Sequence, residues 1–404
     1  MTLRFILDDI YNNPFEPVKP GERAVEKGAG EQLRQLYIEP TSRCNLNCAM
    51  CMRRERKDQS YGDMDVSLFD KIIGDLPESA RRVFFCGIGE PLCHPDILHM
   101  IREVKSRGLI AELITNGTLL DARLIDGIFD ACLDTLWISL DSLDEKGYEN
   151  IRSGADYSDV MKNIQAFNAK RGWQFQGRAE LKDMRVKLGV MFVMRKDNIA
   201  QLHALFRNAR TMGLSYIKVT HLLPYSESQL SQICYERMLV GMMMAEESDF
   251  TFVDMPRVDI RDVTQNPTQS YYYWPALEFS HMGAQAPNRR NYCKFVREGI
   301  AYVRQDGVVS PCMSLLYDNT IYQQRHKRSI THCGYGNAGD TPISEIWDSA
   351  EYARFRGRVE RFDFSPCSRC GGCERFESNE EDCYGNTFPT CGPCLWAQGL
   401  IQCP

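Results

Sequence analysis

At 404 residues, 43% of them hydrophobic and 25% charged, the chain is long enough for one large globular domain and a smaller second one. A net charge of −6 without any block of like charges excludes a nucleic-acid footprint. No apolar run reaches membrane-spanning length, and Asp8-Asp9 interrupts the N-terminus before a secretory segment can form, so the cytoplasm is the expected location.

Residues 1–34 carry Pro14, Pro17 and Pro20 and read as an irregular arm. Over residues 35–222 apolar runs of strand length recur at Leu36–Ile38, Val83–Phe85, Ile110–Ile114, Leu136–Leu140, Leu188–Met194 and Tyr216–Thr220. Helix-patterned stretches separate them: Ser67–Gly74, Asp96–Arg107, Asp121–Asp130, Asp159–Lys170 and Ile199–Met212. Strands alternating with helices predict a parallel sheet, and six units predict a partial (βα)6 TIM-like barrel, an α/β fold. Residues 223–290 are a less regular connecting region with an aromatic patch, Tyr271 to Trp274, suited to cover the barrel mouth. From 291 to 404 the composition shifts to cysteine, glycine and short elements, which marks a small cysteine-rich domain.

The 17 cysteines are unevenly spread. In a chain without a secretory signal they do not form a disulfide framework, because the cytosol keeps thiols reduced. Clustered thiols there usually hold metal, whereas scattered ones, here Cys86, Cys93, Cys132 and Cys234, are usually just small buried apolar residues. Cys44, Cys48 and Cys51, spaced C-x3-C-x2-C, follow the first strand at the end where barrel enzymes place their chemistry. Three thiolates hold three irons of a cubane and leave the fourth iron open for a small ligand, whereas electron-transfer clusters normally take four cysteines. A structural zinc site is the bland alternative, but it needs a fourth ligand.

On this spacing the chain resembles the radical S-adenosylmethionine (radical SAM) family. Its signature cysteines hold a [4Fe-4S] cluster whose open iron chelates S-adenosyl-L-methionine. Met50 departs from the aromatic residue common before the third cysteine. The resemblance implies that Cys44, Cys48 and Cys51 are the catalytic ligands. It also implies that Gly87, Gly89 and Glu90, in the Gly-Ile-Gly-Glu-Pro run after the second strand, hold the cofactor's amino group. Asn116, Ser139 and Asp141 at the next strand ends, and Arg152, become further cofactor contacts. Arg195 and His221 are candidates to face cofactor or substrate.

Ten cysteines follow residue 291: Cys293, Cys312, Cys333, Cys367, Cys370, Cys373, Cys383, Cys391, Cys394 and Cys403. Their order, with an amphipathic helix from Ile343 to about Val359, resembles the SPASM extension, which implies two auxiliary [4Fe-4S] clusters. The C-x2-C pairs also suit zinc knuckles, and the spacing does not assign thiols to individual clusters. The tail from Ser378 to Pro404 resembles a SPASM subgroup associated with tungsten-cofactor oxidoreductases of the aldehyde ferredoxin oxidoreductase type. That resemblance implies a maturase acting on a peptide or protein partner, with an external electron donor such as flavodoxin or ferredoxin. Alternatives are a ribosomal-peptide maturase, for which the N-terminal arm is short, and a sulfatase-type maturase, for which Met313 stands where a carboxylate is common. A non-catalytic iron–sulfur electron carrier is the alternative of another class.

Overall fold

The computed structural model describes residues 31–56, 61–172, 184–234, 292–323, 326–367, 373–398 and 400–402, with the short strands Glu236–Arg237, Val253–Asp254 and Glu278–His281. The arm up to residue 30, Tyr271 to Trp274, Cys370 and Cys403 lie outside the described residues.

Six parallel strands follow one another in chain order: β1 (Gln35–Ile38), β2 (Arg82–Phe85), β3 (Ile110–Thr115), β4 (Thr135–Ser139), β5 (Lys187–Met194) and β6 (Tyr216–His221). These are the six apolar runs, each shifted by a residue at most. Alternation of side chains across the sheet divides them between two layers. Leu36, Ile38, Val83, Phe85, Leu136 and Ile138 pack against the helices. Tyr37, Phe84, Trp137 and Tyr302 form a separate cluster on the other face. There Tyr37 stacks on Phe84 with ring centroids 5.2 Å apart and meets Tyr302 edge-on at 5.7 Å. Both faces are apolar, as a parallel sheet inside a barrel requires.

The crossover helices are α1 (Val66–Gly74), α2 (Ile97–Ser106), α3 (Ala122–Asp130), α4 (Glu145–Ile151), α5 (Tyr157–Lys170) and α6 (Ile199–Asn208). In α2 the buried residues Ile97, Met100, Ile101 and Val104 mark one helical stripe. Asp65, Asp121, Asp144 and Asp156 cap α1, α3, α4 and α5, each accepting amide hydrogens from the first turn.

The sheet continues beyond these six strands. β7 (Glu278–His281) lies parallel to β6, and β8 (Ile300–Val303) lies parallel to β1, pairing Gln35 with Ile300 and Ile38 with Val303. β9 (Val309–Ser310) runs antiparallel to β8 and ends the sheet. A strand of the cysteine-rich region is therefore built into the barrel wall beside the first cysteine loop. Beyond it come a hairpin, β10 (Asn319–Gln323) with β11 (His326–Ile330), and two helices, α7 (Ile343–Asp348) and α8 (Ala350–Arg361). The single helix expected from Ile343 is broken at Ser349. Its extended backbone, φ −57° and ψ 143°, ends α7, and its hydroxyl caps α8 through Tyr352 N–H. Among the described residues no helix is long and apolar enough to cross a membrane.

Candidate functional site

The loop after β1 carries Cys44, Cys48 and Cys51 and is anchored from several sides. Asn47 N–H donates to Ser153 O at 3.0 Å and Ala49 N–H to Ile151 O at 2.8 Å, so the end of α4 supports it. Gln229 Nε2 donates to Ala49 O at 2.8 Å. Cys48 is buried; Cys44 and Cys51 are half-buried. Burial raises all three thiol pKa values, to about 11 for Cys44. Mutual repulsion adds to the rise: Cys48 disfavours the thiolate of Cys44 and of Cys51. Such thiols need a bound cation to become thiolates.

The second strand end closes over this loop. A Cβ added at Gly89 would stand 2.1 Å from Thr41 O and 2.6 Å from Arg43 O, and one at Gly87 would stand 2.5 Å from Glu39 Cγ. Both glycines are thus required by close packing on the chain just before Cys44. Glu90 is 3% exposed. It accepts Asn116 N–H at 2.7 Å and Leu92 N–H at 3.1 Å, and burial raises its pKa. Asn116 Nδ2 donates to Asn45 Oδ1 at 3.0 Å, which ties the third strand end to the cysteine loop.

Asp141 is fully buried between the strand ends. Its Oδ2 lies 2.6 Å from Arg152 Nη2, and its Oδ1 accepts Val193 N–H at 2.7 Å. Arg152 in turn favours the thiolate of Cys48 and the charge of Glu90. Ser139 is half-buried at the end of β4. The structure therefore gathers Cys44, Cys48, Cys51, Gly87, Gly89, Glu90, Asn116, Asp141 and Arg152 into one connected region. Arg195 is held in a fork by Asp197, at 2.9 and 2.7 Å, and His221 lies under the tail, with its backbone N–H on Leu400 O at 3.4 Å.

A second site is made by residues far apart in sequence. Cys293, Cys312, Cys391 and Cys394 line one cavity whose walls include Phe295, Val296, Phe355, Val359 and Trp396. Burial raises all four thiol pKa values, to about 12 for Cys293. Cys394 raises those of Cys293, Cys312 and Cys391 further. Among the described residues no three His, Cys, Asp or Glu side chains close on one point as a single-ion site demands. The four thiols stand around the cavity wall instead, an all-sulfur donor set with apolar cover that suits a polynuclear iron–sulfur cluster.

In the same region Cys367 is buried and Cys383 exposed; burial, and to a lesser degree the Cys383 charge, raises the Cys367 pKa. Asp382 joins their loops by accepting Ser365 N–H at 2.9 Å. Cys373 is exposed. Cys333 is buried and held by the Tyr335 hydroxyl. Sequence reasoning passed over Glu39 and Tyr317. Glu39 accepts Ile88 N–H at 2.9 Å as well as the Tyr317 hydroxyl, and burial pushes its pKa up to about 7. A glutamate placed between a strand and the cysteine loop was the available signal.

Residues 38–209 match the family model of the radical SAM superfamily, and residues 293–374 match that of an iron–sulfur cluster-binding domain, SPASM. A similar relative is the tungsten-containing aldehyde ferredoxin oxidoreductase cofactor-modifying protein of Pyrococcus furiosus. It is 29% identical over 380 residues, which are 92% of this chain and 97% of that protein. Two solved structures share the fold at 16% identity. Native anSMEcpe with bound AdoMet has a TM-score of 0.57 and covers 90% of this chain and 95% of its own. Streptococcus suis SuiB bound to precursor peptide SuiA has a TM-score of 0.54, covering 84% of this chain and 70% of its own.

Proposed function

Because the chain belongs to the radical SAM superfamily and carries a SPASM domain, we propose that it is a maturase that modifies a peptide or protein partner, a tungsten-cofactor oxidoreductase of the aldehyde ferredoxin oxidoreductase type. The observation that carries the reading is the trio Cys44, Cys48 and Cys51 at the barrel mouth, ringed by Glu90, Asn116, Asp141 and Arg152 from the next strand ends. A [4Fe-4S] cluster bound there would supply one electron to the sulfonium of S-adenosylmethionine, breaking a C–S bond to give methionine and a 5′-deoxyadenosyl radical.

The residues of the chain bind and orient. Cys44, Cys48 and Cys51 hold three irons. Glu90 would offer a buried carboxylate to the cofactor's ammonium, and the N–H groups of Asn116 and Leu92 hold that carboxylate in place. Arg152, held by Asp141, offers a fixed cation for the cofactor's carboxylate. Cys293, Cys312, Cys391 and Cys394 hold one auxiliary cluster. Cys367 and Cys383, with Cys370 and Cys373 close to Cys367 in sequence, would hold the other. Ferredoxin or flavodoxin supplies the electrons from outside.

The choice of partner rests on similarity along 92% of the chain to the tungsten oxidoreductase cofactor-modifying protein. The test is anaerobic incubation with S-adenosylmethionine, a reductant and the tungsten oxidoreductase made without this protein. The reading predicts 5′-deoxyadenosine release and a gain of oxidoreductase activity. Release of 5′-deoxyadenosine without any gain would redirect the search to peptide substrates, and no release at all would favour an electron carrier.

A further inference from the structure

The β10–β11 hairpin stands between the two auxiliary cysteine sets. On one side Gln323 Nε2 donates to Pro393 O at 2.7 Å, between Cys391 and Cys394. On the other, Ser329 N–H donates to Glu377 O at 2.8 Å, just past the helical turn Glu374–Phe376 that follows Cys373. Between these anchors Arg328, paired with Ile321 across the hairpin, points inward and is only 2% exposed. Its guanidinium donates to Phe376 O and lies over the Phe376 ring, 5.4 Å from the centroid. Phe376 N–H is bonded to Cys373 O at 2.8 Å, so the guanidinium is fixed directly to the backbone of one cysteine segment.

A buried cation ordinarily has a carboxylate partner. Among the described residues none is paired with Arg328. The groups whose charged forms would favour its cation are Cys367, Cys394 and Cys391, drawn from both sets. A guanidinium stays charged at neutral pH in a protein interior. Cys333, by contrast, has the Tyr335 hydroxyl and takes no part in this arrangement.

We propose that Arg328 is a positioning residue shared by the two auxiliary clusters, a fixed positive charge that offsets their negative charge and raises the reduction potential of both. A cluster gains negative charge when it is reduced, so a nearby cation stabilises the reduced form. The proposal rests on the reading that both sets hold clusters.

The experiment compares anaerobically reconstituted wild-type protein with Arg328→Gln and Arg328→Lys, by iron and sulfide content and by redox titration followed with electron paramagnetic resonance. Arg328→Gln is expected to move both auxiliary potentials to more negative values. The potential of the Cys44, Cys48 and Cys51 cluster should stay in place, and Arg328→Lys should stay near wild type. If Arg328→Gln loses auxiliary iron while Arg328→Lys keeps it, the charge-offsetting role also stands. Unchanged auxiliary potentials at full iron content, an equal shift of all three clusters, or loss of iron in both variants would overturn it. Wild-type protein with about four irons per chain would overturn the auxiliary-cluster reading itself, and with it the proposal.

Discussion

The Tyr317 hydroxyl donates its hydrogen bond to Glu39 Oε2, joining the auxiliary-cluster region to the residue just after the first barrel strand. The other carboxylate oxygen takes the N–H of Ile88, inside the Gly-Ile-Gly-Glu-Pro run. The Arg56 guanidinium lies 4.1 Å from the Tyr317 ring centroid and that of Arg304 lies 5.1 Å from it. One buried carboxylate thus connects β1, the candidate cofactor loop and the SPASM region.

Stability should fall as pH rises through this carboxylate's range. Burial raises the folded pKa of Glu39 from 4.5 to about 7, so the unfolded chain loses its proton first. The contribution is fully present below pH 4.5, declines above it and is gone above about 7. It amounts to on the order of 3 kcal/mol. Denaturant unfolding across this range should show the slope in wild type, and Glu39→Gln should flatten it. An equal slope in the variant would assign the effect to another group.

Removing one partner of the buried Asp141–Arg152 ion pair should be costly. Asp141→Ala leaves a guanidinium at 9% side-chain exposure without its carboxylate. Loss of one member of such a pair costs roughly 3–5 kcal/mol. The denaturation midpoint should fall accordingly, and binding titrations should show weaker affinity for S-adenosylmethionine. A surface pair such as Lys162–Asp159, at 68% and 63% exposure, serves as the control, and its loss should hardly register.

Two glycine substitutions should behave differently. Gly89→Ala places a methyl group against the fixed backbone of Thr41 and Arg43, so the cysteine loop must move. The expected cost is about 1–3 kcal/mol or more, together with reduced iron at the first site. Gly127→Ala meets only the side chain of Leu98, at Cδ1, Cδ2 and Cγ, which can turn aside. Iron content and unfolding midpoints check both, and normal iron in Gly89→Ala would show that the loop tolerates the shift.

Cysteine variants should separate into two groups. Ala at Cys44, Cys48 or Cys51 should abolish release of 5′-deoxyadenosine. Ala at Cys293 or Cys312 should preserve part of that release and block modification of the partner, because those thiols line a separate cavity. Equal loss in both groups would mean that the two sites do not act separately.

Glu90→Ala should keep the iron and lose cofactor affinity. Its carboxylate is braced by the N–H groups of Asn116 and Leu92 and is not among the cysteine ligands. Iron analysis beside a binding titration measures the two effects independently.

The strand runs, the helix stripes and the C-x3-C-x2-C loop were legible in the sequence because each depends on neighbours within a few residues. Period-two and helical alternation mark burial, aspartates mark helix starts, and three thiols on one loop mark a metal site with an open position. Tertiary structure decided what depends on distant residues. It joined Ile300–Val303 to the barrel beside β1, gathered Cys293 and Cys312 with Cys391 and Cys394, and set Tyr317 on Glu39 and Arg328 on Phe376. Spacing along the chain carries no information about such pairings, since residues far apart in sequence meet only when loops close and apolar faces are buried together.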